Sequence, residues 1–318
     1  MKRSKYLVTG AAGFIGSTAI ENFLKQGHSV VGIDNLKTGR LDFLTASNNN
    51  KNFSFIELDL NEADKLQTLF EGVDFVFHFA ANADVRFGPE HPRLDLEQNV
   101  IVTHNVLEAC RIAGVKKFAF SSTGSIYGES NVIPTPESAP FPVQTSLYGA
   151  SKLAAEGLIQ AYAESFGIKS WIFRFVSILG PRYTHGHIFD FFKQLQIHPE
   201  LLRVLGNGEQ NKSYLHVFDC IAAIDIAINR ANEKINIFNL GLADSCKIRD
   251  SVAWILDELN LSPKVEYGSE PKGWIGDNPL IRLDTTRIES LGWKPRFTIQ
   301  ESVRETVRYL QKSPEVLH

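Results

Sequence analysis

The sequence predicts an α/β fold in which helices cover both faces of a doubly wound parallel sheet, with a smaller, mixed C-terminal domain. Three observations support this prediction. Short apolar runs bounded by polar residues or glycine recur through the first half of the 318-residue chain. Amphipathic stretches of helical length separate these runs, and this alternation is typical of parallel sheets. The alternation is lost over Pro181–Gly208, so the later residues are expected to fold differently.

Strands and helices alternate along the first half. The predicted strands are Tyr6–Thr9, Ser29–Asp34, Phe53–Leu58, Phe75–Ala80, Lys117–Ser122 and Lys169–Phe175. The predicted helices are Ser17–Gln26, Asn61–Phe70, Ser146–Phe166 and a long one around Asp95–Ala113. In the first helix, Ala19, Ile20, Phe23 and Leu24 fall on one face, and Gly27 closes the helix.

The second half is less regular. Its predicted strands are Tyr214–Val217 and Ile235–Leu240, and its predicted helices are Ile188–Gln196, Ala222–Asn229, Lys247–Leu259 and Thr298–Leu310. Pro263–Pro279 contains glycine, proline and scattered charge, which predicts a loop. We expect one domain over residues 1–176, completed by 214–240, and a second domain over residues 177–213 and 241–318.

Composition excludes several classes of protein. The chain has 43% hydrophobic residues, enough for a sizeable core, and a formal net charge of −3. No overall positive field therefore attracts nucleic acid or anionic lipid. No stretch approaches the ~20 apolar residues that span a bilayer, and the apolar run near the basic N-terminus is too short for a secretory signal. Cys110, Cys220 and Cys246 lack metal-ligand spacing, so we expect reduced, buried thiols in a cytoplasmic protein.

A glycine motif between the first strand and the first helix predicts a dinucleotide site of the Rossmann type. Gly10 allows a tight turn, Gly13 lets a pyrophosphate approach the backbone, and Gly16 lets the helix pack closely on the sheet. Phe14 and Ile15 lie within the same motif. The free N–H groups and the positive dipole end of the helix then face the phosphates.

An acid at the end of the second strand favours NAD over NADP. Asp34 lies 18 residues after Gly16, near the spacing of about 20 expected for an acid that binds the adenosine ribose hydroxyls. A carboxylate there repels a 2′-phosphate. One alternative is that Arg40, with Lys37 and Thr38, contacts such a phosphate. Another is that Asp34 is only a solvated residue at the strand end.

Tyr148 and Lys152 are separated by one helical turn, which places them on the same face of a helix. A tyrosine has an ordinary pKa near 10, and a nearby cation lowers it. We expect Lys152 to stand beside Tyr148 or to bridge to it through the cofactor ribose, with the oxidised nicotinamide as a second positive charge. Tyr148 would then remove a hydroxyl proton while a hydride leaves the same carbon for NAD. The alternative is a chance pair on a surface helix.

Hydroxyl groups follow the predicted strand Lys117–Ser122. Ser121 and Ser122 end that strand, and Thr123 and Ser125 come directly after it. Carboxyl ends of parallel strands face the ligand crevice, where a hydroxyl can hold the reacting oxygen. A polar turn after a buried strand explains the same composition equally well.

The motifs together resemble one family. They are Gly10–Gly16, Asp34, Asp59-Leu60, 78–81 (HFAA), Asn99, Ser121–Gly128, Tyr148–Lys152, Arg174–Pro181, 206–217 (GNGEQNKSYLHV), Asp219 and 291–295 (LGWKP). This order is similar to that of the extended short-chain dehydrogenases/reductases, and within them to nucleotide-sugar epimerases of the UDP-glucose 4-epimerase type. The resemblance covers nearly the whole chain.

The resemblance implies a role for each matching residue. Tyr148, Lys152 and Thr123 match the catalytic residues. The expected NAD-binding residues are Gly10, Gly13, Phe14, Ile15, Gly16, Asp34, Asn35, Thr38, Gly39, Asp59, Leu60, Ala80, Ala81, Asn99, Ser121, Tyr148, Lys152 and Phe175. The expected residues for the nucleotide sugar are Arg86, Thr123, Ser177, His187, Val204, Lys212, Lys272 and Asp277. The C-terminal domain would bind the nucleoside diphosphate, and the family implies a homodimer through the helices around Asp95–Ala113 and Ser146–Phe166.

Some positions depart from the family pattern. Ser177 replaces a usual Asn, and Trp274 replaces an Arg three residues before Asp277, so Lys272 is expected to supply that charge. Arg86 either reaches the sugar or caps a loop. A polar cluster of Arg182, Tyr183, His185 and His187 is expected to contact diphosphate or sugar, and no metal is expected.

The expected reaction is inversion at C4 of an NDP-sugar, with UDP as the favoured nucleotide, through a transient 4-keto sugar. Related dehydratases place Asp-Glu directly after the catalytic Thr, and related decarboxylases place a Glu in the same motif. This chain has Gly124-Ser125 there. With no further acid or base, the ketone can only be reduced again. The alternatives are another NDP-sugar enzyme (a 4,6-dehydratase, decarboxylase or reductase) and a non-catalytic NAD-binding regulator.

Overall fold

The computed structural model describes residues 3–85, 88–141, 143–274, 278 and 280–317. The strands are β1 (Lys5–Thr9), β2 (Ser29–Asp34), β3 (Phe53–Glu57), β4 (Phe75–His78), β5 (Lys117–Thr123), β6 (Lys169–Phe175), β7 (Ser177–Leu179), β8 (Leu201–Val204), β9 (Asn211–Lys212), β10 (Tyr214–His216), β11 (Ile235–Leu240), β12 (Cys246–Lys247), β13 (Lys264–Tyr267) and β14 (Leu280–Ile281). The α-helices are α1 (Phe14–Lys25), α2 (Thr45–Asn48), α3 (Ala63–Leu66), α4 (Pro92–Asp95), α5 (Val102–Ala113), α6 (Leu147–Phe166), α7 (His187–Ile197), α8 (Val217–Arg230), α9 (Ile248–Leu259), α10 (Thr286–Ser290) and α11 (Ile299–Lys312).

The central element is a seven-stranded sheet in the order β3-β2-β1-β4-β5-β6-β11. Every neighbouring pair in it is parallel. The strand order reverses between β1 and β4, and the carboxyl ends of these strands meet at one edge. This edge is the place where open α/β sheets bind ligands.

Alternate residues of the central strands pack into two separate cores, as the period of two along a strand requires. Leu7, Val76 and Ile172 face the core formed with α5 and α6. Val8 and Phe77 face the core formed with α1, α8 and the C-terminal helices. Apolar residues on both sides of the sheet explain why its strands read as almost continuous apolar runs.

Three small sheets build the C-terminal region. β7 pairs with β10, β8 pairs with β13, and β9 lies between β12 and β14. These strands are short, and each pairs with a strand distant in sequence. They bring the segments after β6 and after β11 together above the carboxyl edge of the central sheet.

The predicted α/β architecture is confirmed, with local differences. The expected helix Asn61–Phe70 is α3 followed by a 3₁₀ turn, and the long helix around Asp95–Ala113 starts at Pro92 and contains a π-helical turn, Leu96–Ile101. The predicted strand Phe75–Ala80 ends at His78. The region expected as a loop, Pro263–Pro279, contains β13, whose partner β8 was not predicted because its pairing is non-local.

The division into two domains remains a prediction. Of the two strands in the segment 214–240, β11 belongs to the central sheet and β10 lies outside it. Among the described residues, no helix has the length and apolar character needed to cross a membrane.

Candidate active site

The glycine loop between β1 and α1 forms a close-packed turn. Gly10 adopts a φ of +67°, and a Cβ there would lie 2.7 Å from the backbone nitrogen of Ala80. A Cβ on Gly16 would lie 2.0 Å from the carbonyl oxygen of Gly10. The helix starts at Phe14 with Gly13 as its N-cap, and no side chain caps its first N–H groups. These donors are therefore available to an anion, which fits the pyrophosphate of a dinucleotide.

Asp34 ends β2 beside this loop and is buried. Its Oδ2 accepts from the Ala12 N–H at 2.9 Å, and its Oδ1 accepts from the Leu36 N–H at 2.8 Å. Burial raises the pKa of Asp34, and these N–H groups oppose the rise. A Cβ on Gly39 would lie 2.6 Å from Oδ1, so only glycine leaves this carboxylate room. Each oxygen keeps a lone pair for a ribose hydroxyl.

The cations near Asp34 are paired with carboxylates. Lys37 Nζ lies 2.7 Å from Asp59 Oδ2, and Arg40 Nε lies 3.2 Å from Asp42 Oδ1. Burial raises the pKa of Asp59, but hydrogen bonds from Lys37 and other donors outweigh it and hold that pKa below its usual range. Both cations that were candidates for a 2′-phosphate thus have acidic partners, and the arrangement fits NAD rather than NADP.

Tyr148 and Thr123 meet at the carboxyl edge of the sheet. Thr123 is the last residue of β5, and Tyr148 lies in the first turn of α6, where the Ser146 hydroxyl caps the helix by accepting from the Gly149 N–H at 3.0 Å. The Thr123 side chain lies close enough to the Tyr148 phenol to act on its pKa. Phe175, at the end of β6, is the register partner of Thr123. Two hydroxyl groups are therefore held together on rigid elements.

The ammonium of Lys152 is directed toward the end of β5. This side chain is 2% exposed, its Nζ donates to the carbonyl of Ser121 at 2.8 Å, and it lies 4.6 Å from the ring centre of Phe120. Burial lowers the pKa of Lys152 to about 7, and the charges of Glu156 and Asp95 oppose that change. The backbone carbonyl, rather than the phenol, is its hydrogen-bond acceptor.

The phenol of Tyr148 has a different electrostatic environment from the Lys152 ammonium. Burial raises the pKa of Tyr148 to about 12, the hydrogen bond with Thr123 opposes the rise, and the charge of Asp95 adds to it. The spacing of one helical turn does not by itself put the ammonium on the phenol, because the lysine chain extends toward Ser121.

The other residues expected around NAD lie along the same edge. Ala80 and Ala81 follow β4, and the Ala80 N–H donates to the hydroxyl of Thr9 at 3.3 Å. Asn99 is buried in the π-helical turn and donates to the hydroxyl of Ser151 at 2.9 Å. Leu60 is buried after β3. Asn35 donates to Asp59 at 3.1 Å, and Thr38 is exposed.

The residues expected to bind the nucleotide sugar are more dispersed. Ser177 is exposed in β7, and Val204 is buried at the end of β8. Lys212 in β9 donates to the carbonyl of Asn278, and Lys272 lies 2.5 Å from Glu129. The contact of Lys272 with Glu129 connects the C-terminal region to the loop after Thr123. Arg86 and Asp277 lie outside the described residues.

His187 begins α7 and is surrounded by other side chains. Its Nε2 lies 3.2 Å from the hydroxyl of Ser251, and its ring lies 5.2 Å from that of Tyr214. Burial and the charge of Lys212 lower the pKa of His187 to about 3. A neutral His187 can offer a hydrogen bond to a ligand but no positive charge. Arg182, from the same predicted polar cluster, forms an ion pair with Glu21 of α1.

Sequence reasoning missed two buried polar groups. Glu156 and Arg174 form a bidentate ion pair at 3.1 and 2.8 Å, one turn beyond Lys152. Asp95 and Asn82 both form hydrogen bonds with Asn99. Tyr148, Lys152 and Glu156 follow one another at intervals of four residues along α6. This spacing indicated that Glu156 would face inward on the same side of the helix. No local pattern marked Asp95.

Comparison with known proteins agrees with this geometry. The model of the NAD dependent epimerase/dehydratase family matches residues 6–241. The chain is 32% identical over 315 residues to the UDP-glucose 4-epimerase of Mycolicibacterium smegmatis, covering 97% of this chain and 99% of that protein. A crystal structure of UDP-galactose 4-epimerase has a TM-score of 0.88 and 34% identity, covering 97% of this chain and 99% of that chain.

A second solved structure adds the cofactor. UDP-glucuronic acid 4-epimerase from Bacillus cereus, in complex with UDP-glucuronic acid and NAD, has a TM-score of 0.88 and 27% identity, covering 97% of this chain and 99% of that chain. The glycine loop and Asp34 fit the same cofactor. The chain therefore belongs to the NAD-dependent epimerase/dehydratase family, within the extended short-chain dehydrogenases/reductases that its motifs resemble.

Proposed function

We propose that this protein inverts C4 of an NDP-sugar, a UDP-hexose or UDP-N-acetylhexosamine, with NAD as its cofactor. The observation that carries the proposal is the placement of Thr123 at the end of β5 close to Tyr148 in the first turn of α6. Lys152 lies one turn along α6, and the glycine loop lies along the same edge. The three functional groups expected for hydride chemistry on a carbinol carbon are therefore on rigid elements around one crevice.

Each residue has a defined task in this proposal. The glycine loop and Asp34 would hold NAD, which would supply a hydride acceptor and donor for C4 and a positive charge that favours the ionised phenol. Tyr148 accepts the proton of the C4 hydroxyl and later returns it, while Thr123 holds the same oxygen by a hydrogen bond. Lys152, whose ammonium lies near Ser121, is assigned to ribose hydroxyls of the cofactor. The glycine loop and Asp34 are assigned to the other end of the cofactor.

The residues after Thr123 favour epimerisation over elimination. Positions 124 and 125 are Gly and Ser in a 3₁₀ turn, and the Ser125 hydroxyl lies 3.2 Å from that of Thr123. Neither side chain can act as the acid or base that loss of water across C5 and C6 requires. A 4-keto sugar that turns over in the site is then reduced on its opposite face, which inverts C4.

The nucleotide is assigned to the C-terminal region. Lys212 supplies positive charge for the diphosphate, and Lys272, in ion pair with Glu129, supplies a second charge. His187, Ser177 and Val204 contribute a neutral hydrogen-bonding and apolar lining, and Arg86 and Asp277 complete the set that the family resemblance implies.

The test is incubation of the purified protein with NAD and a panel of UDP-hexoses and UDP-N-acetylhexosamines. We expect NMR to show a C4 epimer for at least one of them, with the mass of the nucleotide sugar unchanged. Loss of water or carbon dioxide would identify a dehydratase or a decarboxylase instead. NAD binding without turnover of any sugar would favour a regulator and reject the proposal.

Gly16→Ala is expected to weaken NAD binding by roughly tenfold to a hundredfold. Its methyl group would lie 2.0 Å from the Gly10 carbonyl oxygen, so the phosphate-binding loop must move, at a cost of about 1–3 kcal/mol. Isothermal titration of the cofactor-free protein with NAD measures the change. Gly157→Ala is the matched control, because no atom lies within 4 Å of its Cβ position. Equal affinities for both variants would contradict the assigned role of the loop.

The family resemblance also supports a homodimer. Ile112 on α5 and Phe166 at the end of α6 are exposed, and Arg111 lies over the Phe166 ring at 5.5 Å. We propose that α5 and α6 pair with the same helices of a second copy, which would bury these apolar side chains. We also propose a cytoplasmic location, because reduced cysteines are typical of that compartment.

A further inference from the structure

Asp95 is a buried carboxylate with no task in the reaction described above. It is the last residue of α4 and is 1% exposed. Its Oδ1 accepts from Asn82 Nδ2 at 2.8 Å and from Asn99 Nδ2 at 3.3 Å. Its Oδ2 has no hydrogen-bond partner within the described ranges, although it is buried. A buried, half-satisfied carboxylate is costly, which suggests a function for its charge.

The hydrogen bonds around Asp95 define which groups donate. Asn99 Oδ1 accepts from the backbone N–H of Asn82 at 2.9 Å, so Asn99 Nδ2 is the donor to both Asp95 and Ser151. The Ser151 hydroxyl in turn donates to the carbonyl of Tyr148 at 2.8 Å. A continuous chain of hydrogen bonds therefore runs from Asp95 to the first turn of α6, which carries Tyr148 and Lys152.

The charges that face Lys152 come from four elements. On α6 itself, Glu156 is its nearest carboxylate along the helix, but that group is occupied by the bidentate contact with Arg174 of β6. On β4, His78 is fully buried, and its pKa is lowered to about 3 by burial and by the charge of Lys152. On α4, Asp95 acts on Lys152 without an ion-pair partner of its own in the described part of the chain.

Asp84 and Tyr148 are two further titratable groups near Asp95. The charge of Asp84 acts on Asp95, and the charge of Asp95 acts on Tyr148. Burial raises the pKa of Asp95, while Asn82 and the Lys152 ammonium oppose that rise. Glu156, although paired with Arg174, is the larger of the two charges that favour the Lys152 ammonium, and Asp95 is the second.

We propose that Asp95 is a second counter-charge of Lys152, beside Glu156, and a positioning residue for the first turn of α6. This inference deepens the proposed function and rests on it for the catalytic task of Lys152. Two consequences follow from the geometry. The first is that the charge of Asp95 helps to keep Lys152 protonated. The second is that the hydrogen bonds from Asp95 through Asn99 and Ser151 fix the position of the helical turn that carries Tyr148 and Lys152. Both carboxylates favour the charged form of Lys152, so loss of the Asp95 charge would shift Lys152 toward the neutral amine.

The decisive measurement is the titration of Lys152 in Asp95→Asn. Protein labelled with ¹³C at the lysine ε carbon is titrated by NMR without substrate, and Lys152→Met identifies the signal by its loss. We expect the midpoint in Asp95→Asn to fall by roughly one pH unit, because a lost negative charge disfavours the ammonium. Asp64→Asn, which removes an exposed carboxylate from α3, is the matched control and should leave the midpoint unchanged.

The outcomes separate an electrostatic role from a merely structural one. A folded Asp95→Asn with an unshifted Lys152 midpoint would overturn the inference. Asp95→Ser keeps an acceptor oxygen without charge and gives the same test if the asparagine variant does not fold. Failure of both variants to fold would also overturn it, because Asp95 would then serve the fold itself.

A second readout uses the active enzyme. Loss of the Asp95 charge lowers the pKa of both Tyr148 and Lys152, so the whole profile of kcat against pH should move toward lower pH. A shifted NMR midpoint in a protein that inverts no sugar would reject the proposed function and leave the counter-charge role intact. An unshifted midpoint together with C4 epimerisation would reject the role of Asp95 alone.

Discussion

Tyr148→Phe is expected to lower the rate of C4 epimerisation by about a thousandfold or more, while NAD remains bound. The change removes only the hydroxyl that takes the proton from the sugar, and a positioned base contributes roughly 10²–10⁴ to a rate. Thr123 and Lys152 keep their own contacts to the backbone of β5 and its turn. The measurements are kcat by NMR of the sugar product and the NAD content of the purified variant.

Tyr162→Phe provides the matched control. Tyr162 lies on the same helix, and its hydroxyl donates to Glu108 at 2.6 Å, away from the crevice. The same chemical change there should leave the rate unaltered. A rate for Tyr148→Phe close to that of the unmodified protein would refute the assigned base, and loss of NAD together with activity would indicate a binding role instead.

Glu156→Gln is expected to destabilise the protein by about 3–5 kcal/mol. Glu156 is fully buried and accepts from Arg174 at 3.1 and 2.8 Å and from the Ser122 hydroxyl at 2.5 Å. The amide would leave the buried guanidinium without its counter-charge, and breaking one side of a buried ion pair costs this much. Urea denaturation followed by circular dichroism measures the change in the free energy of unfolding.

An exposed glutamate on the same helix tests whether burial is the cause. Glu164 lies 2.7 Å from Lys234, and both side chains are more than half exposed. Exposed ion pairs are worth about 0–1 kcal/mol, so Glu164→Gln should have little effect. The double variant Glu156→Met/Arg174→Met should be less damaging than Glu156→Gln, because it removes both charges. Equal losses in Glu156→Gln and Glu164→Gln would contradict the argument.

Much of the fold could be predicted because its signals are local. β2, β6 and β11 have the predicted bounds, and the glycine motif lies between β1 and α1 as expected. Periodicity and glycine chemistry act over a few residues, so they are visible in a single sequence. Short strands such as β8 and β13 carry no such signal, since each exists only because a distant segment pairs with it.

The candidate site also has features that local sequence signals predict and features that depend on contacts between distant segments. Tyr148 and Lys152 were found from their spacing, but the contact of the ammonium with Ser121 depends on how α6 packs against β5. The pairing of Lys37 with Asp59 removed an alternative that the residue types alone had left open. Asp95 was missed because its importance comes from burial and from an unpartnered oxygen, neither of which a residue type reveals.

The sequence by itself determined the α/β class, the position of the dinucleotide loop and the identity of the Tyr–Lys pair, since each follows from spacing along one segment of chain. Only the tertiary structure decided where the Lys152 ammonium points, that Glu156 pairs with Arg174, and that one oxygen of Asp95 is buried without a hydrogen-bond partner among the described residues. The physical reason is that electrostatic interactions in a protein depend on burial and on distances between segments far apart in sequence. Those distances come from packing of the whole chain, which no single segment encodes.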